Sequence, residues 1–259
     1  MSLLLRTTAL MLLLLSRAPA MAAVPLTTNS TEDNREESQQ NEVSSKLFRH
    51  SLSGLYGIAN QNYPIVQPYQ DFDVLYSKAH QAQIELETLC KSTALLTHTQ
   101  AYFAGTKSRQ RALEKVELEL DGQAERITDL ARATIVAHDV ASLVTAYETL
   151  SREATVVKVK NRFKNPAESG YRDLNVLVQL PKTGIIAEVQ LHLAAIAQVK
   201  SGAEHALYEQ IQTIERTARQ EQRELTEWEN AQIAKMRSAS RDLYLQAWQP
   251  YITTHIQAA

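Results

Sequence analysis

The sequence predicts an α+β fold, a mixed β-sheet flanked by helices with a long helix at the C-terminal end. Three observations lead there. The first is the stretch from Val157 to His205, where short β-like runs are divided by turn residues and polar groups recur at regular places inside apolar strands. Successive strand side chains point to opposite faces. Ile185, Ala187, Val189, Leu191 and Leu193 therefore share one face, and Glu188, Gln190 and His192 the other. Leu174, Val176, Val178 and Leu180 likewise oppose Tyr171, Asp173 and Asn175. The second observation is the helical spacing of apolar residues in segments that precede this stretch. The third is the run beyond Ala194, helix-rich to about Trp248, with Glu and Arg dense between Ile214 and Arg241.

Residues 1–23 have the shape of a secretory signal peptide: Arg6 is the only early charge, Leu10 to Leu15 is rich in leucine, and small residues follow at the exit. The apolar run is too short to span a bilayer comfortably. No later stretch is long and apolar enough to do so, so the mature chain is expected to be free of the membrane. Residues 24–50 are mostly Thr, Asn, Ser, Glu and Gln. They offer too little apolar surface to offset the entropy of ordering and are expected to form a disordered linker. The body of the 259-residue chain, with 44% hydrophobic residues, is ample for one packed core. A formal net charge of -2 gives no global argument for binding DNA or an anionic membrane, so any polyanion site must be local. Cys90 is the single cysteine, which excludes an internal disulfide; it reads as a small buried side chain in a helix.

In chain order, helical spacing runs from Phe72 to about Thr97 through Val74, Leu75, Ala79, Ala82, Ile84, Leu86 and Leu89. A second helix fits Ser108 to Leu118, cationic on one face where Arg111 and Lys115 lie a turn apart. Ile127 to Val136 reads as a central strand entered through Asp129, and Asp139 to Ser151 as a helix carrying Leu143, Tyr147 and Leu150. The strand from Thr155 to Lys164 places Lys158, Lys160, Arg162 and Lys164 opposite Val157, Val159 and Phe163. Such lysines serve either to block edge pairing or to neutralise phosphates. His138-Asp139 has the look of a metal phosphohydrolase dipeptide, but a lone pair falls far short of a ligand set. Periodicity alone leaves the polar face of the sheet open between a solvated hairpin and a site.

The motifs decide between them. Lys164-Asn165-Pro166, Gly170-Tyr171-Arg172 with Leu174, Glu188-Val189-Gln190, and Glu204-His205 with Tyr208 follow one another in an order that resembles the synthetase domain of the RelA/SpoT family. The resemblance covers roughly Asp73 to Gln212. It implies a nucleotidyltransferase-related fold over residues 51–215, with 216–259 as a helical extension. It also implies transfer of pyrophosphate from ATP to the 3′-hydroxyl of a guanosine nucleotide, with Mg²⁺. Lys107 and Lys115 match the family's phosphate-binding lysines in spacing, although Gly105 stands in place of its arginine. Asp129 matches a magnesium-binding aspartate. A further family arginine is replaced by Thr134, and Arg132, two positions earlier on the same face, is the candidate to supply its guanidinium.

By the same resemblance Glu188 shares the metal with Asp129 and accepts the proton of the attacking hydroxyl. Tyr171 stacks on the acceptor base, beside Asn175, Gln190, His192 and Lys164. Asn175 stands where the family usually has histidine and His192 where it usually has arginine, which brings adenosine nucleotides or an RNA 3′ end into consideration as acceptors. The reaction suits these residues, since phosphoryl-type transfer is mostly positioning and neutralisation of charge. With the leader, they point to an exported enzyme, secreted or periplasmic, delivered into another cell as a toxin or effector, whose charged C-terminal helix offers a surface to a protein partner. The rival is a binding or scaffold protein that has kept the fold and lost the reaction.

Overall fold

A computed structural model describes residues 43–63 and 65–253. The expected leader and most of the expected linker lie outside these residues. Within the linker range, residues 43–49 are helical rather than disordered. From Ser44 onward the described residues form one compact unit. Among them no helix is long and apolar enough to cross a membrane.

The elements follow as α1 (Leu52–Gly57), β1 (Gln61–Asn62), α2 (Phe72–Ser77), α3 (Ala79–Thr97), β2 (Gln100–Phe103), α4 (Arg109–Glu119), a 3-10 turn (Ala124–Arg126), β3 (Arg132–Ala137) and α5 (Val140–Glu153). Then come β4 (Thr155–Asn161), β5 (Leu174–Gln179), β6 (Ile186–Leu193), α6 (Ala194–Ser201), α7 (His205–Gln220) and α8 (Glu227–Thr253). The strands form a six-stranded sheet in the order β1-β4-β5-β6-β3-β2. The β3–β6 pair is parallel and the others antiparallel, so the sheet is mixed, as the sequence predicts.

One face of this sheet is core. Ala133, Ile135, Leu174, Val176, Val178, Ala187, Val189 and Leu191 are all buried, under α3 and α5. Burial of a Val or Leu side chain of this kind contributes about 1.5–3 kcal/mol. Cys90 lies in the same layer on α3, and burial pushes its thiol up to about 12, so it stays protonated. The opposite face carries polar rows across the strands. Arg132 lies opposite Glu188, and Glu188 opposite Leu177. Thr134, Gln190, Asn175 and Lys160 make the next row. The sequence expectation for both faces of β5 and β6 holds.

Three boundaries differ from the sequence reading. The helix expected from Phe72 to Thr97 breaks at Lys78 into α2 and α3; the Ser77 hydroxyl turns back onto the Val74 carbonyl there and competes for backbone groups. The strand expected from Ile127 starts at Arg132, because the backbone ahead of it is bonded to loops and side chains. Ile127 accepts from the Gln67 side chain and Leu130 from the Lys107 N–H of the preceding loop; the first bond to β6 comes at Ala131, which accepts from the Glu188 N–H. The strand expected to reach Lys164 stops at Asn161, whose side-chain oxygen accepts from the N–H groups of Phe163 and Lys164 and turns the chain out of the sheet.

Candidate active site

Asp129 is held in place by its surroundings. Gln67, 3% exposed, donates to the carbonyls of Ile127 (2.7 Å) and Ile186 (2.8 Å) and accepts from the Ile186 N–H (2.9 Å). It thereby ties together the two segments that, two residues later in each, bear Asp129 and Glu188. On the other side the 104–107 loop docks through the Lys107 N–H to the Leu130 carbonyl, 3.0 Å, and is braced by the Tyr76 hydroxyl on the Lys107 carbonyl, 3.1 Å. Helix α4, capped by Ser108, brings Lys115 to the same place.

Both lysine ammonium groups meet one carboxylate oxygen. Asp129 Oδ2 lies 3.1 Å from Lys107 Nζ and 2.9 Å from Lys115 Nζ. Burial works against the charge on Asp129, but Lys115 and Lys107 outweigh it and hold the carboxyl below its ordinary value, so it is an anion throughout the neutral range. Its second oxygen, Oδ1, is buried with no hydrogen-bond partner. Arg132 is clamped by Gln83 of α3, which accepts from its N–H (3.0 Å) and donates to its carbonyl (3.2 Å). The Arg132 Nε is a buried donor with no partner. The unmet acceptor and the unmet donor lie three residues apart in sequence, where β3 begins.

Glu188 stands opposite Arg132 in the sheet register, and its Oε1 accepts from Asn175 Nδ2 at 2.6 Å. Further along the same face Asp173 is fully buried and paired with Arg162 at 2.5 Å. Burial raises the Asp173 carboxyl, against which Arg162 and the Tyr171 hydroxyl favour the anion. Tyr171 donates to Asp173 Oδ2 at 2.9 Å, and its oxygen lies 2.6 Å from His192 Nε2. A carboxylate only accepts, so the Tyr171 proton points to Asp173 and the His192 Nε2 carries the proton shared with Tyr171. Burial, then the positive charges of Lys200 and Arg162, push His192 well below the ordinary histidine value; it is neutral. The Tyr171 ring meets Tyr244 of α8 edge-on, and the cationic groups of Arg162 and Lys200 each lie 5.5 Å from its centroid. Lys200 also donates to Gln190 at 2.5 Å.

The structure thus brings Lys107, Lys115 and Asp129 into one cluster, Glu188 and Asn175 into a second, and Tyr171, His192 and Gln190 into a third around Lys200. Lys164 joins none of them: its side chain is exposed beyond the end of β4. The second member of the His138-Asp139 pair is the N-cap of α5, accepting from the Ser142 N–H at 2.7 Å. Sequence reasoning did not single out Gln67, Gln83 or Lys200. For Lys200 there was a signal, since it is the one charged residue of α6. For the two glutamines there was none, since their partners are backbone groups distant in sequence.

No protein-family model matches the chain. The sequence is 30% identical over 135 residues to the (p)ppApp synthetase toxin Tas1 of Pseudomonas aeruginosa (strain UCBPP-PA14), a match covering 52% of this chain and 30% of that protein. The chain therefore spans about a third of the length of this relative. Among solved structures, the type VI effector Tas1 in complex with its immunity protein superposes with a TM-score of 0.52 at 23% identity, covering 69% of this chain and 96% of that one. Small alarmone synthetase 1 from Bacillus subtilis, bound to its product pppGpp, gives a TM-score of 0.48 at 18% identity over 73% of this chain and all of that one. The resemblance to the RelA/SpoT synthetase domain that the motifs carry thus holds both in a curated relative and in the fold, which this chain shares with the effector Tas1.

Proposed function

We propose that this protein transfers the β,γ-pyrophosphate of ATP to the ribose 3′-hydroxyl of a purine nucleotide, and that it acts as an effector delivered into a target cell. The observation that carries the reading is the pairing of Lys107 and Lys115 with Asp129 beside two unmet polar atoms, Asp129 Oδ1 and Arg132 Nε. That cluster lies across the β3–β6 pair from the Glu188–Asn175 couple.

In this reading Lys107, Lys115 and Arg132 take the donor phosphates. The two lysines are held ready by Asp129 and move their charge onto the triphosphate as it arrives. Glu188, oriented by Asn175, accepts the proton of the 3′-hydroxyl as its oxygen attacks the β-phosphorus and AMP departs. Asp129 Oδ1 and Glu188 fit Mg²⁺, which takes oxygen ligands and is commonly held by one or two carboxylates plus substrate phosphates. Bound there, the ion would supply neutralisation of charge developing on the transferred group. Tyr171, with Asn175 and Gln190 near it, is the acceptor side. Its cradle is completed by α8 through Tyr244, so the extension read from residue 216 onward packs on the body of 51–215.

Adenosine is the first acceptor to test, since the relative at 30% identity is named a (p)ppApp synthetase and Asn175 and His192 depart from the wider family's residues. Guanosine is the acceptor that the wider family implies. The toxin and effector names of that relative support delivery, as does the leader read from residues 1–23. The immunity protein in the Tas1 complex supports a protein partner, for which the charged C-terminal helix is the candidate surface. The test is chromatography of products from ATP, Mg²⁺ and each adenosine or guanosine mono-, di- or triphosphate. A 3′-pyrophosphorylated product with AMP is expected from one purine series. ATP binding with no product from any acceptor would leave a nucleotide-binding scaffold instead.

A further inference from the structure

Helix α6 starts where β6 ends and carries Lys200 back over the polar face of the sheet. The ammonium donates to Gln190 Oε1 at 2.5 Å and lies 5.5 Å from the Tyr171 ring centroid. It has three donors and, among the described residues, only this one hydrogen-bond acceptor. Among the described residues no carboxylate lies within ion-pair distance of it. The acids whose fields reach it already have partners: Asp173 holds Arg162 and Tyr171, Glu188 holds Asn175, and Glu204 holds Tyr244 and Ser240. Burial lowers the Lys200 pKa by more than the fields of Asp173 and Glu188 raise it, so the ammonium sits in a half-buried place under several acidic fields with no carboxylate in contact. A charge in such a place is costly unless an anion completes it.

Resting on the reading above, we infer that Lys200 binds the 5′-phosphate of the acceptor nucleotide. The donor's phosphates have their own cations, Lys107, Lys115 and Arg132, on the β3 side of Glu188. Lys200 is on the Tyr171 side, where the acceptor base is to stack. An anion seated on Lys200 would draw the ammonium off the Tyr171 ring and open that ring to the base. A phosphorylated acceptor thereby clears its own stacking surface, and an unphosphorylated nucleoside does not. This makes Lys200 a determinant of the acceptor's phosphorylation state, separate from whatever reads the base.

The experiment is calorimetric titration of the full chain, without ATP, using adenosine, AMP and ADP and the guanosine series in parallel. Wild type, Lys200→Met and Lys200→Arg are compared. Wild type is expected to bind the mono- and diphosphate of one series at least tenfold more tightly than its nucleoside. Lys200→Met should abolish that difference without any loss of nucleoside affinity, which rises where the absent ammonium frees the Tyr171 ring, and Lys200→Arg should restore most of the difference. Equal loss for nucleoside and nucleotide would assign Lys200 a packing role and overturn the inference. So would unchanged nucleotide affinity in Lys200→Met, or no binding by the wild type. Product formation is scored separately. Phosphate-dependent binding through Lys200 without turnover refutes the transferase alone, and turnover indifferent to Lys200→Met refutes this inference alone.

Discussion

His192 shows at the scale of one residue how the polar face is built. It is 1% exposed, bonded to Tyr171, and lies in the fields of Lys200 and Arg162. Its depressed pKa has a consequence for stability. The unfolded chain takes up a proton on this histidine near pH 6.5, whereas the folded chain does so only well below. The contribution is therefore complete above that pH and is lost as pH falls, at up to about 1.4 kcal/mol per unit. Urea midpoints of wild type and His192→Gln between pH 7.5 and 5.5 should converge on acidification, the wild type falling faster; parallel profiles would contradict the assignment. The sequence made this face legible because strand alternation needs only neighbours in the chain. Motif order also groups Tyr171, Glu188 and Gln190 on that face, which the structure divides between two clusters, Glu188 with Asn175 and Tyr171 with Gln190 around Lys200. The sequence did not show that His192 reaches Tyr171 rather than open solvent, since that depends on α6 and α8 closing over it. Gln67 was equally hidden, because a buried glutamine bonded to two distant backbone segments leaves no periodic trace.

At the scale of the element, caps and loop contacts place the chemistry. Helix α5 begins at Asp139 because its carboxylate takes the Ser142 N–H. Asp139→Ala should cost about 1 kcal/mol of stability, read as a lower denaturation midpoint, with pyrophosphate transfer unchanged. A large loss of turnover at unchanged stability would instead revive a metal-site reading of His138-Asp139. The position of Asp129 in a loop ahead of β3, and not in a strand, was invisible to periodicity. Ile127, Leu130 and Ala131 are all buried, so their side chains read as strand. What keeps Ile127 and Leu130 out of the ladder is the capture of their carbonyls by the Gln67 side chain and the Lys107 N–H, which only the tertiary structure supplies; Ala131, accepting from the Glu188 N–H of β6, is where the pairing begins. That irregular backbone gives the carboxylate its setting between two lysines.

At the scale of the molecule, the long C-terminal helix returns to the site. Tyr244 and Trp248 are buried with the sheet's own residues. The Tyr244 hydroxyl reaches Glu204 at 3.0 Å, and the Trp248 ring packs 5.5 Å from that of Phe163. Gly170 marks how closely they approach: at φ 81°, a Cβ there would meet the Arg241 Cα at 3.0 Å. A chain dense in Glu and Arg read as a surface helix because its few buried residues are spread over many turns. The motif loop at Gly170-Tyr171 is thus shaped from outside the stretch in which the motifs lie. All three scales converge on Glu188, held by Asn175 and facing the row that Arg132 begins. The most direct measurement is AMP release from ATP, with Mg²⁺ and a purine nucleotide acceptor, by wild type and Glu188→Gln at saturating substrate. A fall of about 10²–10⁴-fold in the variant with ATP binding preserved is predicted; equal turnover in the two proteins would contradict the account.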